Sequence, residues 1–516
     1  MNKNKDLIDW REYCQKSFEE AKEKNKPIFL LLTAPAWCHW CHVYESSSHL
    51  YHPEVYQVIN EKFIPILVDA DKRQDLTRLW LEGGWPTTVL LTKNREKITA
   101  YSGAIPVHEI LNNLNYALGY NENTIKTKLK KIIPDKAKTK ELTEKDLSEV
   151  IEKYRQAVAD SYDKNYGGFG FYQKFPQPRT LFYCLKLYKK TRDNAWLEIV
   201  QNTLKNQVTD IKNLKTEYLL FDPVEGGFHR YSTQQDWSSP HYEKMLYDNA
   251  RSLKTYSYLL HLTKDKLAEE VVKKTLKFIE KSWYDKENGG FFGSTDAFTE
   301  EEYYSELIRP EEKPEIEKTK YTDWNSEAVI AYLFLYKLTK NQEYRMVAEK
   351  TLGFFEENIL TENGPYHYIL NGIKNVRGCL LDNSYLLLAF VEAYKIINKK
   401  EYLNVSIRLA DYALKVLYDE ENGGFFERNS PDKELYALGE EIDYAKPVEE
   451  NGIICFALIN LYLMTKNKKY LLPAIRTLSL KIDELSGLDN IYYFIVAAEN
   501  ILKNNLLKEE LTKRKI

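Results

Sequence analysis

No stretch of the chain runs for about 18 apolar residues, the length a membrane-spanning helix needs. The opening residues, MNKNKDLIDWREYCQKSF, also lack the apolar segment of a secretory signal. Both absences point to a cytoplasmic protein that does not engage a membrane. A basic stripe is missing too: 73 Lys and Arg face 76 Asp and Glu, for a net charge of -3, and nowhere do the cations gather without acids. That pattern argues against a nucleic-acid partner. Cysteine is scarce, with six in 516 residues. In a reducing compartment structural disulfides are not expected, and the isolated Cys14, Cys184, Cys379 and Cys455 read as core residues. What the chain does have is length beyond one ordinary core, together with 39 tyrosines and 9 tryptophans, so two domains are expected.

The first domain is read from APAWCHWCHV, residues 34–43. The apolar run PIFLLLT at 27–33 has strand length and leads into a segment that can be helical from Cys38 onward. A cysteine at a helix N-terminus meets exposed N–H groups and the positive end of the dipole, which favours the thiolate; Cys41, one turn on, is placed to resolve a mixed disulfide. PEVYQVINEKF (53–63) reads as a helix, with IPILVDAD (64–71) and TTVLLT (87–92) as strands. Trp85-Pro86 precedes the latter strand, where a thioredoxin fold keeps a cis-proline beside its cysteines. Other readings of the pair stay open: a CxxCH haem anchor, a zinc site recruiting His39, His42, His49 or His52, or a thioredoxin fold whose cysteines do not turn over.

After the charged stretch 125–146, read as a linker, long amphipathic helices take over and a phrase recurs. It is YDKNYGGF from Tyr162, FDPVEGGF from Phe221, YDKENGGF from Tyr284 and YDEENGGF from Tyr418, with TENGPYHY from Thr361 as a degenerate copy. Helical stretches start near residues 147, 179, 196, 243, 266, 325, 342, 381, 400, 450, 468 and 488. Paired as hairpins they predict an (α/α)6 barrel whose long loops share one end, the mouth. The loop at 221–250 brings His229, Arg230, Asp236, Trp237, His241, Glu243 and Asp248 together. Ser239 reads as an N-cap, Pro240 as the first helical residue, and His241 and Asp248 as one helix face. Arg179, Asp323, Trp324, Asn325, Asp382, Asn383, Glu449, Glu450 and Asn451 stand at other inner-helix starts. Together they predict an acidic, aromatic-lined funnel for a polyol or sugar, although acids at helix starts also serve the dipole. Paired carboxylates there suit glycoside hydrolysis, and a histidine suits proton transfer beside a carbonyl carbon.

WCHWCHV, GGWPTTVLLT, GGFGFYQKFPQP, GGFHRYS, DWSSPHYEKMLYDNA and TDWNSEAV, in that order, resemble the spermatogenesis-associated, thioredoxin-domain family. The resemblance implies a thioredoxin-like domain joined to a six-hairpin glycosidase-like barrel, similar in fold to N-acylglucosamine 2-epimerases. The chain departs from that family in VYESSSHLYHPEV after the CxxCH, in AYSGAIP after the third strand and in the short GSTDAFTEEEYY. The expectation is therefore an α/β thioredoxin-like domain over 1–124, a linker over 125–146 and an (α/α)6 barrel over 147–516. Cys38 and Cys41 would exchange disulfides while the barrel binds a sugar-like ligand or a glycosylated partner; the alternative is a sugar epimerase or hydrolase using His241, Glu243 or Asp248. No resident cofactor is expected, with zinc at Cys38 and Cys41 the minor alternative.

Overall fold

The computed structural model describes residues 5–120, 142–208, 220–296, 303, 309–428, 445–481 and 487–507. They divide into two compact units, one holding Met1–Asp135 and the other Lys136–Arg428 and Ala445–Ile516.

The first unit is a four-stranded sheet in the order β2-β1-β3-β4, with β1 at Ile28–Thr33, β2 at Ile64–Asp69, β3 at Thr87–Leu91 and β4 at Lys97–Ser102. β1 runs parallel to β2 and antiparallel to β3. Every residue of β1 is buried because helices cover both faces, which is why its sequence is an unbroken apolar run. Phe29 and Leu31 point into one cluster, with Tyr44, Val55, Ile59, Ile110 and Leu114. Ile28, Leu30 and Leu32 point into the other, with Phe18, Ala21, Leu76 and Trp80. The period-2 alternation of a strand thus builds both cores of a thioredoxin-like fold.

The second unit contains twelve α-helices among its described residues, and their starts follow the expected positions closely. Six of them, Pro178–Thr191, Leu246–Thr263, Thr322–Thr339, Leu380–Ile397, Val448–Thr465 and Leu488–Lys503, pack in sequence order, and the last packs against the first, closing an inner ring. Leu380–Ile397 shows how deeply this ring can be buried: every residue from Leu380 to Val391 is buried. The other six are amphipathic and lie outside, giving the (α/α)6 barrel. Val448–Thr465, with a mean hydropathy of 1.2, has the length and composition to cross a membrane, which the sequence reading missed; here it is a barrel wall packed against its neighbours.

Two boundaries differ from expectation. A capping box between Thr143 and Asp146 starts the first helix at Glu144, inside the stretch read as linker, most of which lies outside the described residues. The helix expected from 243 starts at Leu246. Ser239 does not cap it: Pro240–His241 pairs with Tyr231–Ser232, and Lys244–Met245 pairs with Ser294–Thr295. These long-range pairings hold the segment extended, so His241 and Asp248 share no helix face.

The recurring phrase is a structural lock. Asp163, Asp222, Asp285 and Asp419 each accept two amides of their own turn on one carboxylate oxygen. The other oxygen receives a lysine Nζ: Lys174 at 2.6 Å, Lys244 at 2.7 Å, Lys320 at 2.7 Å and Lys446 at 2.6 Å. Each lysine also donates to the carbonyl of the first glycine of the pair. That glycine has no room for a side chain in the second loop, where Gly226 has φ +86 and an added Cβ would stand 2.4 Å from the Lys274 carbonyl. Asn249, Asn325 and Asn451 then clamp Phe228, Phe291 and Phe425 by accepting the phenylalanine N–H and donating to its carbonyl. Each lock fixes a long loop to the start of the next inner helix.

Candidate functional site

Two groupings of chemistry-bearing residues stand out, one in each unit. In the first, Cys38 is the N-cap of the short helix His39–Tyr44, and its Sγ accepts the Cys41 N–H at 3.2 Å. Cys38 and Cys41 are joined as a disulfide with a Cα–Cα distance of 5.2 Å. Cys38 keeps 5% exposure and Cys41 none. The Trp85-Pro86 bond is cis, as expected, and the Trp85 ring lies edge-on to Trp37, the neighbour of Cys38, at 6.5 Å. Trp37 in turn donates to Asp71 at 2.6 Å, and Trp40 stands 49% exposed on the helix.

The joined sulfurs leave no thiolate pair for zinc. Two of the nearby histidines are directed elsewhere: His42 Nε2 meets the Pro35 carbonyl at 2.9 Å, and His49 Nδ1 meets Ser46 at 3.3 Å.

The second grouping lies on the N-terminal turns of the inner helices. Arg179, second residue of its helix, is its hub. It donates to Glu449 at 2.5 Å, to Tyr385 at 2.6 Å and to Glu327, and its guanidinium lies 5.0 Å from the Tyr493 ring centre. Arg251 reaches the same acceptors, at 3.0 Å from Glu327, 2.9 Å from Tyr385 and 3.4 Å from Glu449. Burial by itself would raise the Glu449 carboxyl, but the two arginines outweigh it and bring it down to about 2. Glu327 is lowered for the same reason. The expected acidic funnel is therefore corrected: its central acids are neutralised by Arg179 and Arg251. Asp489 closes the ring by accepting the amide and hydroxyl of Thr180, each at 2.8 Å.

Beside the hub stand Arg230, Glu243, Asp248 and His241. Burial pushes Glu243 up to about 7 against the pull of Arg230, whose Nη1 is 3.5 Å away. Asp248 is raised to about 7 by burial, with Arg251 and Arg230 opposing. His241 stacks on Tyr231 with ring centres 4.4 Å apart, and its Nδ1 lies 3.8 Å from Glu243 Oε2. Phe175 covers the other face of Tyr231 at 4.7 Å, and Phe171 and Tyr172 from the same loop are 55% and 86% exposed. The result is a partly exposed aromatic stack with two carboxyls that titrate near neutrality. On another part of the ring, Asp382 Oδ1 lies 2.8 Å from His367 Nδ1, and Asp323 is raised to about 7 by burial, with His367 opposing and Asp382 adding to the rise.

Several expected ligands turn out to hold the framework. Trp237 is fully buried, donates to the Tyr166 carbonyl at 2.8 Å and packs over Gly168. Asp236 caps its own turn through Ser238. His229 is buried against the Tyr242 carbonyl at 2.7 Å, and burial together with Lys244 takes it down to about 3, so it stays neutral. Asn325 and Asn451 have their amides committed to the GGF backbone. Trp324 is buried beside Tyr321 and Tyr247, Glu450 is buried, and Asn383 donates to the Leu409 carbonyl at 3.3 Å. Sequence reasoning missed Arg251, Glu327, Tyr385, Tyr493 and His367. The first four lie one turn beyond the first-turn residues, and Glu327 carried a usable signal as the single charge in the apolar run WNSEAVIAYLFLY.

Over residues 1–140 the chain matches the family Thioredox_DsbH, described as "Protein of unknown function, DUF255". It is 29% identical over 314 residues to spermatogenesis-associated protein 20 of Homo sapiens, covering 56% of this chain and 39% of the human protein. An uncharacterized Caenorhabditis elegans protein is 30% identical over 318 residues, covering 56% of this chain and 41% of that one. The match thus spans about two fifths of the length of these relatives. Among solved structures, a sugar epimerase from a ruminal bacterium superposes with TM-score 0.55 at 14% identity, over 69% of this chain and 98% of the other. A D-mannose isomerase gives TM-score 0.56 at 14% identity, over 70% and 98%. At these identities the likeness is one of fold, and it agrees with the barrel traced above.

Proposed function

Taking the chain as a relative of the spermatogenesis-associated family, we propose that it is a cytoplasmic thiol–disulfide oxidoreductase whose barrel binds a sugar-like ligand or a glycosylated partner. The observation that carries the reading is the Cys38–Cys41 pair, with Cys38 Sγ receiving an amide at the start of a helix. In the reduced pair, the Cys38 thiolate attacks a substrate disulfide, forming a mixed disulfide and releasing one substrate thiolate. The Cys41 thiolate then attacks Cys38 Sγ, the Cys38–Cys41 bond forms, and the second substrate thiolate leaves with both electrons. Cys38 takes the attacking role because it retains slight exposure whereas Cys41 has none. The test is trapping: Cys41→Ser should accumulate a mixed disulfide through Cys38 and Cys38→Ser should not. Absence of any trapped species, together with no reduction of a small disulfide by the parent, would overturn the reading.

A second reading is supported by Glu243 and Asp248, whose carboxyls stand at about 7, with Glu243 Oε2 3.8 Å from His241 Nδ1. Carboxyls in that range serve as general acids near neutral pH, so the barrel would epimerise or hydrolyse a sugar with the thioredoxin-like unit as an appendage. Sugar turnover lost in both His241→Ala and Asp248→Asn, with Cys38→Ser unaffected, would favour this reading over the first.

A further inference from the structure

We propose that Asp323, His367 and Asp382 bind one divalent transition-metal ion in the barrel, independently of the chemistry of the thiol pair. Asp323 and Asp382 stand on the first turns of two adjacent inner helices, Thr322–Thr339 and Leu380–Ile397. His367 comes from the strand Tyr366–Leu370, which pairs with Lys320–Tyr321 immediately before the first of those helices. One ligand atom from each residue lies within 4.8 Å of the other two. All three residues are more than nine-tenths buried, at 6%, 2% and 0% exposure.

The second observation is what the carboxylates lack. Asp323 Oδ1 and Asp382 Oδ2 are buried with no hydrogen-bond partner. Two other buried carboxylates of this barrel are, by contrast, met by cations: Glu327 by Arg179 and Arg251, Asp222 by Lys244 and Arg309. Among the described residues, no lysine or arginine forms an ion pair with Asp323 or Asp382. Two carboxylates facing one imidazole without a cation of their own are left with a charge deficit that a dication fills. The donor set, two oxygens and one nitrogen, suits Zn²⁺ or Mn²⁺ better than the all-oxygen preference of Ca²⁺ or Mg²⁺. The ligands come from three elements spread over 60 residues of chain, so no spacing motif announces them.

The test uses the full-length oxidised protein, in which Cys38 and Cys41 are joined and offer no thiolate. Metal-stripped protein is titrated with Zn²⁺ and with Mn²⁺ by calorimetry, and ion content is measured after dialysis. One ion per chain is expected, with affinity falling at least tenfold in Asp323→Asn and in His367→Gln. An unfolded variant would lose the ion for a trivial reason, so the parent loaded with Mn²⁺ is also examined by pulsed electron paramagnetic resonance for coupling to an imidazole nitrogen. Coupling that disappears in folded His367→Gln supports the site. No bound ion, no nitrogen coupling, or unchanged affinity in both variants overturns it.

Discussion

Arg179 Nη1 donates to Glu449 Oε1 at 2.5 Å, tying the first inner helix to the fifth across 270 residues of chain. With Arg251 it forms the charged hub of the inner ring, and both arginines converge on the hydroxyl of Tyr385. Removing the Arg179 guanidinium leaves the buried Glu327 with Arg251 as its one remaining arginine partner and the part-buried Glu449 with Arg251 and the Tyr385 hydroxyl. Arg179→Met should therefore lower the stability of the barrel by about 3–5 kcal/mol, the cost of breaking a buried charge network. Arg179→Lys should recover only part of this, because one ammonium cannot span the acceptors a planar guanidinium reaches. Urea unfolding followed by circular dichroism checks both, and equal stability of all three proteins would contradict the central role of Arg179.

The pH dependence has a definite sign. Glu243 and Asp248 stand at about 7 in the folded protein, above the values of an unfolded chain, so the folded state holds their protons more tightly. Their contribution is complete below about pH 4 and is withdrawn as pH rises to about 7. Glu449, lowered to about 2, behaves oppositely: its stabilisation is present above about pH 4.5 and disappears as pH falls towards 2. A Glu243→Gln, Asp248→Asn variant should show a flatter stability profile between about pH 4 and 7 and exceed the parent at about pH 8. Thermal denaturation across that range reads the difference.

Lys244 is buried between Asp222 and the Gly226 carbonyl, at 2.7 and 2.9 Å. Lys244→Met should cost about 3–5 kcal/mol because Asp222 loses a buried partner. Adding Asp222→Asn should restore part of the loss, giving a coupling energy of about 1–3 kcal/mol in a double-mutant cycle. Additive losses would show that the lysine acts by packing alone.

Two glycine substitutions separate backbone constraint from helix preference. Gly226→Ala forces a side chain into a φ of +86 and against the Lys274 carbonyl, and should destabilise by more than about 1 kcal/mol. Gly353 is helical with nothing within 4 Å of an added Cβ, so Gly353→Ala should stabilise by about 0.5–1 kcal/mol. Melting temperatures moving in opposite directions are the expected result.

The parts of this architecture that read well from the sequence are those written in local pattern. The apolar run at Ile28–Thr33 gave a buried strand, and the spacing of the GGF phrases gave the hairpins and thus the ring. Trp85-Pro86 before a strand pointed to the cis bond that is found. What the sequence concealed depends on partners far along the chain. His241 looked helical because Ser239-Pro240 is a strong local start signal, and only pairing with Tyr231 overrides it. Asn325 looked like a mouth ligand because its commitment to Phe291 is visible only once the loop has folded back. Arg251, Glu327 and Tyr385 lie on different hairpins, and nothing local marks their convergence.

The lysine and asparagine anchors also bear on how this barrel can change. Each closes its loop within a single hairpin and the helix that follows, so the chain between the anchored phenylalanine and the next inner helix is mechanically downstream of a finished joint. An insertion there lengthens a loop whose ends are already fixed, and the extra closure entropy grows only slowly with length. The anchored loops can therefore be given new mouths one at a time while the ring keeps its geometry.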